Sequence, residues 1–109
     1  MGPRARWPVG TMDSSFKTPV VSETPVLLLS GEYDPITPPA YAERVRNEGL
    51  GNSVHLVGRG QGHGLIGVGC VPRLLRSFLE NPDPPKLDAA CLDLEPPTPF
   101  FLTLLGPAP

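Results

Sequence analysis

Four consecutive apolar residues, Val26-Leu27-Leu28-Leu29, set the first constraint on this chain. They follow Pro25 and stop at Ser30-Gly31. A strand with one wet face alternates apolar and polar residues. This run does not alternate, so it calls for a strand buried on both faces, as in a parallel sheet covered by helices. Pro25 suits a first strand position, where no ladder donor is needed. The turn Gly31-Glu32-Tyr33-Asp34-Pro35-Ile36 follows, and Thr37-Pro38-Pro39 then reads as a helix start. Thr37 can cap the helix, and Pro38 suits its first position because the missing N–H would be an orphan there. Residues 40–47 carry helix formers, with Tyr41, Ala42 and Val45 on one face and Gly49 as the stop. Ser53 to Val57 alternates and ends at Gly58, which fits a second short strand. Strand, helix and strand in that order predict a βαβ unit with parallel strands.

A second helix is expected over Val71 to Glu80. Val71, Leu74, Leu75, Phe78 and Leu79 fall at i, i+3, i+4, i+7 and i+8, an apolar stripe facing a core. Pro72 is tolerated in its first turn, and Asn81-Pro82 ends it. Beyond Pro82 the chain reads as an extended arm. Its sixteen prolines, many in the last third, are well above the roughly 5% of ordinary usage. In that arm Phe100-Phe101-Leu102 and Leu104-Leu105 require a partner surface. Residues 1–24 read as an extended lead-in, 25–100 as the domain and 101–109 as a proline-rich tail. The architecture expected is α/β: two parallel strands, two helices and the arm.

With nine basic and eleven acidic residues, the charge makes no case for nucleic acid or an anionic membrane as a partner. No apolar run approaches the roughly 20 residues of a membrane span. Residues 1–7 have a charged start without the apolar stretch of a signal peptide.

Chemistry is expected beyond the carboxyl ends of the strands, where ligands bind in open parallel sheets. Asp34 follows the first strand, and His63 follows the second within the glycine-rich run 58–64. Together they are candidates for the acid and base of a Ser-His-Asp relay, in which a carboxylate fixes the imidazole tautomer and the other ring nitrogen takes a proton. The plain alternative is a solvated loop Asp and an unrelated loop His. No cofactor is expected: residues 62–67 match G-x-G-x-x-G, but no strand runs straight into them and no helix opens directly on them. His55, His63, Asp34 and Cys70 lack metal-pair spacing, and His55 reads as an ordinary sheet residue. Tyr41 and Phe78 read as core; Arg44 and Arg46 read as a solvated helix face. Cys70 and Cys91 allow one bridge, worth roughly 3 kcal/mol for a loop of about 20 residues. They are equally two unrelated buried thiols on spacing alone.

The stretch from Pro25 to Pro39, PVLLLSGEYDPITPP, resembles the acid motif of α/β-hydrolases, and more narrowly that of the tripeptidyl-aminopeptidase-like (TAP-like) group, relatives of proline iminopeptidase. Gly60-Gln61-Gly62-His63-Gly64 resembles the group's histidine loop. Gly69-Cys70, Ala90-Cys91-Leu92 and Pro96-Pro97-Thr98-Pro99-Phe100 match as well, so the likeness runs over roughly residues 7–100. It implies that Asp34 is the triad acid, His63 the general base, and Cys70–Cys91 a disulfide. It also implies an exported or cell-envelope hydrolase acting on short peptides or related amides and esters.

One part is missing. In this fold the order is Ser, acid, His, with the serine in Gly-x-Ser-x-Gly. The sequence contains no such elbow, and Ser14, Ser15, Ser22 and Ser30 stand in other contexts. The chain therefore reads as the C-terminal module of a serine hydrolase, inactive alone. An upstream polypeptide carrying the nucleophile is the expected partner, and a peptide the expected substrate once complemented. The alternative is a non-catalytic remnant or binding module.

Overall fold

The computed structural model describes residues 8–97 and 99–106. Strands β1 (Val26–Gly31) and β2 (Ser53–Gly58) pair in parallel, from Val26 opposite Ser53 to Gly31 opposite Gly58. Helix α1 (Pro39–Glu48) joins them, and α2 (Val71–Glu80) follows β2. Short 3₁₀ turns span Ser14–Lys17, Leu65–Gly67, Pro84–Lys86 and Ala90–Leu94.

The two sheet faces do different work. Side chains alternate along a strand, so residues i and i+2 share a face. Leu27, Leu29, Val54 and Leu56 occupy one face and pack with Leu65, Val71, Leu74 and Leu92. Burial of one such aliphatic side chain contributes about 2 kcal/mol. The other face carries Leu28, Ser30, Ser53, His55 and Val57, and α1 lies over it. Both faces of β1 are thus at least partly covered, as its unalternated apolar run requires.

Several expectations need correction. The N-cap of α1 is Pro38, which has no side chain to cap with. Thr37 lies one residue earlier and spends its hydroxyl on Asp34. Tyr41 is exposed, not core, because it borders a half-open groove between residues 17–20 and α1. Leu79 is exposed too. At 3.6 residues per turn it lies about 80° round from Val71, at the margin of the buried stripe. Phe78 is buried as expected.

The segment after Pro82 is not simply extended. Pro84 and Leu92 are buried, and Leu87 and Ala89 rest against the core. Only beyond Leu94 does the chain leave regular structure, apart from an isolated bridge between Thr103 and Gly106. Phe100, Phe101, Leu102, Leu104 and Leu105 are exposed. Expectations that concern residues 1–7, Thr98 and 107–109 lie outside the described residues.

Candidate active site

Two loops meet at the carboxyl ends of β1 and β2. Glu32 N–H donates to Gly58 O at 3.0 Å, and Tyr33 N–H donates to Gln61 O at 2.9 Å. In return Gly60 N–H donates to the Glu32 carboxylate at 2.7 Å. Gly31 makes this approach possible. A Cβ there would collide with the carbonyl oxygens of Gly62 and Gln61. Gly60 turns through φ 65°, in the left-handed region that favours glycine.

Within this lacing Asp34 is almost fully buried and accepts four hydrogen bonds. Its Oδ1 accepts from the backbone N–H groups of Ile36 at 2.8 Å and Thr37 at 3.0 Å. Its Oδ2 accepts from Thr37 Oγ1 at 2.9 Å and from His63 Nδ1 at 2.8 Å. Burial is the largest single influence on the carboxyl and raises its pKa. The bonds from Thr37 N–H, His63, Ile36 N–H and Thr37 Oγ1 together outweigh it, and the pKa falls well below the ordinary aspartate value. Asp34 is therefore a carboxylate at neutral pH, which accepts hydrogen bonds and donates none. The proton between the two groups belongs to His63 Nδ1.

The imidazole itself is open. The His63 side chain is 54% exposed, against 4% for Asp34. Its Nε2, left without a proton by this tautomer, makes no bond among the described residues. A buried carboxylate thus orients a histidine whose basic nitrogen faces outward. That is the arrangement needed to take a proton from an approaching hydroxyl.

The structure brings Asp34 and His63 together and places the other candidate residues elsewhere. Cys70, at the N-cap of α2, is bonded to Cys91 in the 3₁₀ turn Ala90–Leu94, with the Cα atoms 6.4 Å apart. Beside the bridge the Glu95 carboxylate accepts from Cys70 N–H at 2.8 Å, close to the positive end of α2. Residues 62–67 end in a 3₁₀ turn, and α2 opens only at Val71. His55 is more than an ordinary sheet residue, since both its ring nitrogens are bonded, to Glu43 and Ser30. Sequence reasoning missed Thr37 as a ligand of the acid. An Asp followed three residues later by Thr, in a proline-bounded turn, was the available sign. Two cavities, of about 520 and 410 Å³, lie beside α1 and beside Glu32 and Tyr33. Neither is lined by Asp34 or His63, although the second reaches Tyr33, the residue before Asp34.

Parallel strands, helices over the two faces, and an acid and a histidine at their carboxyl ends make this a partial α/β-hydrolase fold. Compared with protein-family profiles, residues 4–91 match the TAP-like protein family. The chain belongs to that family, as a small hydrolase-family module. No curated protein and no solved structure gave a significant match.

Proposed function

We propose that this chain supplies the acid and base of a serine hydrolase of the aminopeptidase-like kind, Asp34 and His63, to a serine carried by another polypeptide. One observation carries the reading: the 2.8 Å contact of a buried Asp34 with His63, whose other ring nitrogen faces outward. In the complemented site the serine hydroxyl proton passes to His63 Nε2 as Oγ attacks the scissile carbonyl. The same proton then goes to the departing amine. Asp34 stays ionised throughout and stabilises the imidazolium.

The absence of Gly-x-Ser-x-Gly supports a divided site. The open edge of β1, unpaired among the described residues, is the place for a further strand. The Cys70–Cys91 bridge favours an oxidising compartment, outside the cell or in its envelope.

A fluorophosphonate probe for reactive serines tests the reading. The chain is labelled alone, then mixed with the polypeptide encoded upstream of it. Labelling is expected only in the mixture and is expected to vanish in His63→Ala. Labelling that persists in His63→Ala, or none in the mixture, would leave a non-catalytic module that keeps the pair as a relic.

A further inference from the structure

One imidazole ties together the segments on both sides of the acid turn. His55 lies in β2 with its side chain 1% exposed. Its Nδ1 is 2.5 Å from Glu43 Oε1, and its Nε2 is 2.9 Å from Ser30 Oγ. Ser30 is the penultimate residue of β1, just before the turn. Glu43 is in α1, the helix into which the turn runs. The hydrogen bond from His55 is the main influence holding Glu43 below the ordinary glutamate range. Burial opposes it, and the charge of Arg46 adds to it. An ionised Glu43 can only accept, so Nδ1 carries the proton and Nε2 accepts from the Ser30 hydroxyl.

Serine, histidine and carboxylate in hydrogen-bonded order suggest a nucleophilic relay, but the exposure gradient decides against one. A substrate must reach the serine, and here Ser30 and His55 are buried while Glu43 is 45% exposed. Solvent meets this relay at its acid end.

We propose instead that Glu43–His55–Ser30 is a positioning relay that sets the span of the acid turn and so the placement of Asp34 against His63. The inference rests on Asp34 and His63 being the working pair. Its mechanical basis is the weak seating of α1, every residue of which is at least partly exposed. Thr37 holds Asp34 through two bonds and stands directly before the Pro38 cap of that helix. The Glu43–His55 bond is a polar anchor of α1 on the sheet. If it is lost, α1 can shift, and Thr37 and Asp34 move with it.

The chain has only two histidines, so a long-range proton–nitrogen NMR spectrum reports both rings. It is recorded at about pH 8.5, well above the ordinary histidine pKa of about 6.5. The wild-type chain is expected to show both rings as the Nδ1–H tautomer. In Glu43→Leu, which keeps bulk but removes the acceptor, His63 is expected to drift toward the mixed tautomers of free imidazole. Glu43→Gln, whose amide oxygen accepts from Nδ1–H, is expected to restore the single tautomer. Ser30→Ala, which frees the strand side, is expected to give a smaller drift.

An unchanged His63 in a folded Glu43→Leu overturns the relay, and so does equal loss in Glu43→Gln and Glu43→Leu. Should circular dichroism show Glu43→Leu unfolded, an unchanged His63 in Ser30→Ala overturns it. The readout needs no hydrolysis. Serine labelling in the mixture with an unmoved His63 sinks the relay alone; a drifting His63 without labelling sinks the hydrolase reading alone.

Discussion

Asp34 shows how one side chain can be buried and still be a strong acid. Burial alone would push it toward the neutral form, and four donors reverse that. Its folded pKa lies below the unfolded one, so ionised Asp34 contributes stability that is complete above the ordinary value near 3.9. That contribution is lost as the pH falls through the lower, folded value. Thr37→Val removes the hydroxyl donor but keeps the shape. In this variant the Asp34 carboxyl is expected to titrate closer to its ordinary value, and the gap between neutral and acid stability is expected to narrow. Carbon NMR of the carboxyl and denaturant unfolding as a function of pH check the two effects. A variant Asp34 that titrates like wild type would show that the backbone N–H groups and His63 hold its pKa down without the hydroxyl. The Asp34–His63 contact was legible because each residue lies in the loop that follows a strand. The Ser30–His55–Glu43 contact was not, because residues 30, 43 and 55 share no motif and meet only through the sheet register and the seat of α1.

Among the elements, α2 and the turn that backs it carry most of the core. Val71, Leu74 and Phe78 are buried from α2, and Leu92 comes from the 3₁₀ turn Ala90–Leu94. Leu74→Ala is expected to cost about 3 kcal/mol, the middle of the range for a buried leucine. The disulfide holds that turn against the start of α2 and closes a loop across 21 residues of sequence. Removing it with Cys70→Ser and Cys91→Ser is expected to cost about 3 kcal/mol, mostly through a freer unfolded chain. Urea unfolding measures both losses, and a double serine variant as stable as wild type would refute the entropic account. The α2 stripe was readable because helical periodicity is strong over ten residues. The 3₁₀ turn Pro84–Lys86 was missed because proline enrichment reads as extended chain, whereas Pro84 and Pro85 open a tight turn.

For the whole molecule, size and surface point the same way. The radius of gyration is 18.7 Å, against about 13 Å for a compact domain of this length. Exposed apolar side chains gather on the lead-in at Val20 and Val21 and on the arm from Phe100 to Leu105. The sheet has two strands among the described residues, and β1 is open along one edge. Light scattering of the chain alone is therefore expected to give a mass above that of one chain, rising with concentration. A monodisperse monomer across concentrations would mean that these surfaces are covered in a way this arrangement does not explain.

The order of elements, the parallel pairing and the two strand-end residues followed from local pattern. Unalternated apolar runs, proline-marked starts and glycine stops act over a few residues, and such signals survive in one dimension. What depended on three dimensions was which polar groups found one another. The clasp of His55 on Glu43 and Ser30, and the bond of Glu95 at the head of α2, join groups whose spacing follows no period. Burial forces such groups to pair, because an unpaired buried polar atom costs more than the bond returns. The partners available are set only once helix and sheet have packed.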